Sequence, residues 1–442
     1  MSLLQKLRKT AYWVLDFLKG SPVRKHYKHI SSILDHPEST FAKQETATNL
    51  DKLLKHAIAN IPYYKNLKPN ASLQDFPITN KNILRDNSDD FFWPEAQKQK
   101  LQKFSTSGST GTPFTIYKSK DKRNRNVADV FYFADKTGYE LGSTLYYFRH
   151  WDAKLKKSKL LSFIQNIVPF EVARPSDDYI ASFLENLKKD TSKKAFIGYP
   201  SAYNTVINYL QRHNSEPANY NIHSIIAIAE TLTKEVKEQT EYYFNCPVVS
   251  RYSNMENGII AQQIPGKGTH FYINTASYVV EVLDQETNIP VFGKPGKIVV
   301  TDLYNYTTPF IRYDTGDIGV LEKDEEKGLV WLARVDGRKM DVLLNTKGEI
   351  LSSYMSFNVL HYPHILQSQM IQEGPKEYKF KLNIVEGFNS EEIIKKEYLE
   401  ILGADANITF EYVDEIPLLQ SGKRKLMVNN YIKYLEEQRK KT

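Results

Sequence analysis

The sequence predicts an α/β protein with a large N-terminal domain of mixed α/β layers, a distorted β-barrel part within it, and a small C-terminal α+β domain. Three observations predict it. Short apolar, β-rich runs at 145–148, 195–199, 225–229 and 248–252 alternate with helical patterns at 180–187, 203–210 and 234–244. That alternation is the signature of parallel pairing. From 269 to 335 strand patterns follow one another at 278–283, 297–303, 310–313 and 330–333, punctuated by Gly293-Lys294-Pro295-Gly296 and Asp336-Gly337. Such a run suits an antiparallel sheet or barrel. Beyond it the pattern changes again, to a strand at 378–385, a helix at 391–402 and a strand at 408–413.

Residues 1–103 read mainly as helices and loops. The whole chain of 442 residues is too long for one hydrophobic core. The expected division is a domain at 1–336, a junction at 337–341 and a small domain at 342–442.

Composition excludes more than it selects. A net charge of +7 spread over this length suits an anionic partner such as a nucleotide or an acidic lipid surface, without choosing between them. No nucleic-acid-binding motif accompanies it, so no nucleic-acid partner is expected. The single cysteine, Cys246, rules out a disulfide within the chain and a cysteine-rich zinc site. Its apolar surroundings predict a buried spectator thiol in a cytoplasmic protein. No apolar run is long enough to span a bilayer.

The N-terminal segment places Leu3, Leu4, Leu7, Ala11, Val14, Leu15 and Leu18 at helical spacing among Lys6, Arg8, Lys9 and Lys19. The commoner use of such a stripe is packing on its own domain, and that is the expectation. Peripheral contact with anionic lipid is the alternative.

One stretch carries chemistry. Phe104 to Phe114 reads FSTSGSTGTPF. Its glycines let the backbone turn tightly, and its hydroxyls and N–H groups suit phosphate oxygens. It is not a Walker loop, because no GK[ST] follows. Read by itself it also fits a plain surface loop. Further along the chain come AIAETLT at 227–233, YSNME at 252–256, RYDTGD at 312–317, GRKMD at 337–341 and QSGKRK at 420–425. In that order the six motifs resemble the acyl-adenylate-forming superfamily. The nearest branch is that of phenylacetate–CoA ligase and related proteins of capsular polysaccharide biosynthesis.

The resemblance implies an ATP- and Mg²⁺-dependent activation of a small-molecule carboxylic acid as acyl-AMP. CoA, or an amine on a sugar or amino acid, would then accept the acyl group. Thr106, Ser107, Gly108, Ser109, Thr110 and Gly111 would hold the β- and γ-phosphates. Glu230 and Thr231 would lie at the adenine edge, with Tyr252 stacking on the base or bordering the acyl pocket. Glu256 would coordinate Mg²⁺, Asp317 and Arg338 would meet the ribose, and Lys423 would reach the α-phosphate. The small domain would rotate about the GRKMD linker between two half-reactions. Read alone, Asp317 also suits a turn, Glu256 a solvated acid and Lys423 a solvated basic cluster.

The pattern departs from the superfamily at Phe114, where many members place lysine, and at Ser253 and Met255 within the YGxTE position. Met340 and Glu349 also differ from the usual residues near the linker. These departures put the second half-reaction in doubt rather than the first. Tyr147, His150 and Tyr199, at the ends of strand patterns, are the candidate acyl-pocket residues. No histidine is assigned as a base, because a carboxylate is already ionised at neutral pH. A non-catalytic nucleotide-binding scaffold at a membrane-bound polysaccharide assembly is the alternative to an enzyme.

Overall fold

In a computed structural model the described residues are 1–98, 100–106, 114–151, 158–173, 175–338, 342–351, 359, 362–417, 419, 425–432 and 434. They fall into two units. One comprises Leu3–Gly142 and Arg251–Val335; the other comprises Met1–Ser2, Ser143–Ser250 and Asp336–Thr442.

The first unit begins with α1 (Leu3–Leu18), α2 (Pro22–Leu34), α3 (Thr40–Asn60), a short β1 (Thr79–Asn80) and α4 (Lys81–Asp86). Ser39 starts α3 by accepting the Ala42 N–H at 3.1 Å, a cap worth about 1 kcal/mol. α2 is capped from outside. Ser21 sits at φ 59 and makes no side-chain cap, and the Asp16 carboxylate of α1 accepts the N–H groups of Val23 and Arg24, each at 3.0 Å. The α1 stripe does not pack on its own domain as expected. Gln5 and Asp16 are the buried residues of α1, because the inward face is committed to this cap and to aromatic contacts with Phe131.

An antiparallel pair of β2 (Gln102–Thr106) and β3 (Phe114–Lys118) follows, with Thr106 opposite Phe114. Then comes α5 (Lys120–Asp135), whose charged face is buried. Its Lys122 Nζ is 2.7 Å from Asp302, and its Arg125 donates to Ser277 Oγ at 2.9 Å and to the Ala276 carbonyl at 2.5 Å. Asp129 accepts from Asn274 and Ser277. Every one of these charges is therefore paired or hydrogen-bonded, as burial requires.

In the second unit strands and helices alternate: β4 (Thr144–Arg149), α6 (Lys159–Gln165), β5 (Ile167–Glu171), α7 (Asp177–Lys189), β6 (Lys194–Gly198), α8 (Pro200–Arg212), β7 (Ile222–Ile228) and α9 (Lys234–Phe244), all but α6 and β5 where the patterns place them. The order β5-β4-β6-β7 is parallel throughout. β5 is not foreseen in the sequence, where Pro169 argues against a strand. It is the end strand of the sheet, the place where proline is tolerated. Gly198 is required for close approach: a Cβ there would lie 2.3 Å from that of Phe148. Phe148, Phe170, Phe183, Phe196 and Tyr203 form the aromatic centre of this core.

From 251 onward the first unit resumes. The strands are β8 (Val248–Asn254), β9 (Gly258–Gln262), β10 (Phe271–Ile273), β11 (Tyr278–Leu283), β12 (Pro295–Asp302), β13 (Tyr313–Asp324) and β14 (Leu329–Arg338), in the order β11-β12-β13-β14-β10-β9-β8. The expected barrel part does not close among the described residues. The run of hairpins returns at β14 to β10 rather than to β11, which stays an edge. The strand expected at 310–313 is also absent. Arg312 takes φ 46, which breaks an extended run, and its guanidinium reaches Glu281 and the carbonyls of Gln74 and Phe76.

The last part holds β15 (Ile365–Gln372), β16 (Glu377–Ile384), α10 (Glu391–Leu402), β17 (Asn407–Tyr412) and β18 (Met427–Asn429), with sheet order β17-β16-β15-β18. Cys246 is buried as expected, and burial pushes its thiol up to about 12, with Glu241 adding to the shift. No helix among the described residues is long and apolar enough to cross a membrane.

Candidate active site

The expected site residues lie on both units, and each group has its own geometry. On the first unit, Thr106 ends β2. Ser107, Gly108, Ser109, Thr110 and Gly111 lie outside the described residues, as do Met340, Asp341 and Lys423.

Glu256 sits on the turn between β8 and β9 and is 8% exposed, so it is not the solvated acid that its sequence context also allowed. The Tyr313 hydroxyl points to its Oε1 at 3.4 Å. The turn is held by the Asn257 N–H, which donates to Asn254 Oδ1 at 2.8 Å. Lys118, at the end of β3, donates to the Met255 carbonyl at 2.9 Å. Burial pulls the Lys118 ammonium down to about 8, and Lys122 adds to the shift while Asp302 and Glu256 oppose it. Lys118 and Glu256 are thus both buried and attract each other.

Tyr252 and Asp317 are brought together. The Tyr252 ring packs with Ile260, Ala261 and Leu332, and its hydroxyl donates to Asp317 Oδ2 at 2.8 Å and lies 3.1 Å from Thr315 Oγ1. The Asp317 N–H donates to Thr315 Oγ1 at 3.2 Å. Asp317 belongs to β13, not to a free turn. Sequence reasoning passed over Thr315, which accepts the Asp317 N–H, and Tyr313, whose hydroxyl points to Glu256. Both lie inside the RYDTGD motif itself.

On the second unit the candidates gather at the carboxyl ends of the parallel strands, where open α/β sheets bind ligands. Tyr199 follows β6, Glu230 follows β7, His150 follows β4 and Glu171 ends β5. Glu230 Oε2 accepts the Ser201 N–H at 3.0 Å, placing a carboxylate at the positive end of α8. Thr231 and Ser201 line a cleft of about 30 Å³ with Leu366 and Gln367. Gly337, the first residue of the linker motif, lies next to Thr231: a Cβ there would be 3.9 Å from its hydroxyl oxygen. Arg338 is exposed.

Tyr199 is 5% exposed. Burial lifts its hydroxyl to about 12, against the pull of Arg149. The Arg149 guanidinium lies 5.3 Å from the Tyr147 ring centre and 5.7 Å from that of Trp151. His150 Nδ1 is 3.0 Å from Glu171 Oε1. Glu171 is missed by the sequence reading because its strand is missed. Burial opposes its ionisation, but the Ala173 N–H, His150 and the Trp151 N–H outweigh that and hold it below the usual range.

One acid in this region is strained rather than supported. Glu235, in the first turn of α9, has Oε2 buried without a partner. Burial raises it to about 7, with Glu238 adding to the shift. A raised carboxyl pKa contributes stability below the unfolded value that is lost as pH rises through about 7. Glu235→Gln, which mimics the protonated form, is expected to stabilise the protein by about 1 kcal/mol at pH 8. The gain should vanish towards pH 4.5, as read from thermal melts across that range.

The chain is similar to known proteins in sequence and in fold. Residues 342–430 match the CapK C-terminal domain family. The chain is 26% identical to Protein CapK of Staphylococcus aureus, over 81% of each chain. It is 24% identical to a phenylacetate-coenzyme A ligase of Aromatoleum evansii, over 67% of this chain and 71% of the relative. Among solved structures, a 2-hydroxyisobutyryl-CoA ligase in the postadenylation state aligns with a TM-score of 0.67 at 16% identity, covering 91% of this chain and 93% of that one. An anthranilate CoA ligase bound to anthranoyl-AMP aligns with a TM-score of 0.55 at 14% identity, over 78% of this chain and 67% of that one. In these relatives and in the six ordered motifs, the chain is similar to the acyl-adenylate-forming ligases, in the branch that holds CapK and phenylacetate–CoA ligase.

Proposed function

We propose that the protein activates a carboxylic acid with ATP and passes the acyl group to a second acceptor. The observation that carries this reading is the pairing of Tyr252 with Asp317 on the same unit as the buried Glu256. A scaffold has no chemical need for these acids to be fixed.

In the proposed first step an oxygen of the substrate carboxylate attacks the α-phosphorus. The bond from that phosphorus to the bridging oxygen breaks, and pyrophosphate leaves. Two anions meet, so catalysis is charge cancellation and alignment. Asp317 is assigned to the ribose hydroxyls, with Arg338 assisting, and Glu230 and Thr231 to the adenine edge. Lys423 and residues 106–111 are assigned to the phosphates.

Mg²⁺ is assigned to Glu256. The described residues hold no cluster of three or more metal-ligating side chains, and one buried carboxylate fits an ion that takes its other oxygens from phosphate and water. Such an ion, when bound, neutralises phosphate charge.

CoA is the acceptor favoured here, because two of the curated relatives are phenylacetate-coenzyme A ligases. An amine on a sugar or amino acid is the alternative, in a setting of surface polysaccharide biosynthesis on the cytoplasmic side. The small domain beyond residue 341 is assigned the role of a rotating lid, and the 342–430 family match supports it as a separate piece.

Incubation with ATP, Mg²⁺ and a panel of aryl, hydroxy and short aliphatic acids tests the shared step. At least one acid is expected to drive ATP–pyrophosphate exchange and to yield acyl-AMP by mass. ATP binding without exchange for any acid points to the scaffold instead. Adding CoA or amino sugars to the productive acid then separates the acceptors.

A further inference from the structure

We propose that α1 is an interfacial helix that seats the protein on a bilayer containing anionic lipid. The stripe faces the wrong way for a helix that serves only its own domain. Leu3 is 76% exposed and Leu18 73%, with Leu4, Leu7, Val14 and Leu15 between 46% and 55%. An ordinary amphipathic helix turns such a stripe to the core and its polar residues to water.

The orientation is fixed from within. Asp16 caps α2 through the Val23 and Arg24 N–H groups, so rolling the stripe inward would uncap that helix. Tyr12 and Trp13 pack edge-on against Phe131 at 5.1 and 5.8 Å. Gly142 fits under α1 so closely that a Cβ would lie 2.3 Å from the Gln5 carbonyl oxygen.

Charge selects the occupant. Between residues 3 and 28 stand Lys6, Arg8, Lys9, Lys19, Arg24, Lys25 and Lys28 against one acid, Asp16. That acid is buried in the cap, so the outward surface is apolar and cationic. Lysine and arginine flanking an apolar stripe can reach headgroups while the stripe enters the acyl boundary, and anionic headgroups attract each nearby cation. A second copy docked through the same face would set these cations against their own kind. The apolar surface also continues beyond the helix. A cavity of about 700 Å³ is lined by Leu15, Phe104, Val127 and Val130, with Lys19, Arg123 and the capping Asp16, and Val127 and Val130 are themselves exposed. At 16 residues α1 is too short to span and suited to lying flat.

Flotation of the full chain with vesicles tests this, using phosphatidylcholine alone or mixed with phosphatidylglycerol. Binding is expected to the mixed vesicles and to weaken with salt. Leu3→Gln/Leu7→Gln/Leu18→Gln is expected to lower it roughly tenfold with the melting temperature unchanged. Lys6→Gln/Lys19→Gln/Lys25→Gln/Lys28→Gln should remove the preference for anionic vesicles. The proposal is overturned if the chain stays unbound with both vesicles, or if the leucine variant binds as well as the parent. A dimer without vesicles that the leucine variant abolishes overturns it too, by assigning the face to a second copy.

Discussion

Lys423→Ala is expected to lower acid-dependent ATP–pyrophosphate exchange by about 10²–10³-fold, the cost of removing one positioned charge from a transition state. The expectation rests on the proposed chemistry. Charge builds on the α-phosphoryl oxygens as the carboxylate approaches, and a cation placed there acts more strongly on the transition state than on bound ATP. The loss should therefore fall on the rate at saturation more than on ATP affinity. Arg424 follows directly in the chain, but a planar guanidinium is a poor substitute for a compact ammonium at a single point, so no compensation is expected from it. Exchange kinetics with the productive acid, compared with ATP binding by calorimetry, read the two effects separately. Equal losses in both, or no loss in exchange, would remove Lys423 from the reaction and return it to the solvated basic cluster.

Lys122→Met is expected to destabilise the protein by about 3–5 kcal/mol, because it strands a buried carboxylate. Lys122 and Asp302 are both fully buried, with Nζ 2.7 Å from Oδ2. What remains to Asp302 is the Tyr304 N–H, donating to Oδ1 at 3.0 Å. Removing both charges together costs much less, since an apolar pair of similar volume leaves nothing unpaired. The double variant Lys122→Met/Asp302→Leu is accordingly expected to recover most of the loss. Urea midpoints of the single and double variants measure this. A single variant as stable as the parent would mean that the pair contributes nothing. Lys118 supplies a second readout: with its repulsive neighbour gone, its pKa should rise from about 8, while burial, the larger cause, still holds it below the ordinary lysine value.

The same helix shows where reading a sequence stops. In α5, Lys122, Arg125 and Asp129 recur at helical spacing, a pattern that usually marks a solvated face. The chain instead buries all three, because Asp302 arrives from the end of β12, and Ser277 and Asn274 from the turn between β10 and β11, more than a hundred residues later. No local pattern announces a partner supplied at that distance. α1 shows the converse. Its apolar stripe has every mark of a core-facing helix, yet Asp16, the residue that interrupts it, commits the opposite face to capping α2.

The strands and helices between 144 and 244 other than α6 and β5, together with α10 and the ordered motifs, are legible because each rests on local periodicity or short spacing. β11 and α10 fall where their patterns place them. β5 was hidden by Pro169, which only an end strand tolerates, and Glu171 was hidden with it. The open edge at β11 and the break at Arg312 depend on which strand edges meet, and that is settled by pairing over long separations.

The class of fold and the likeness to adenylate-forming ligases are readable in the sequence, since they follow from periodicity and from motifs that lie close along the chain. Only the tertiary structure decided that Glu256 is buried beside Tyr313, that Tyr252 donates to Asp317, that Glu230 caps α8, and which way α1 faces. Each of these is set by a partner distant in sequence, and burial or charge pairing between distant segments exists only once the chain has folded.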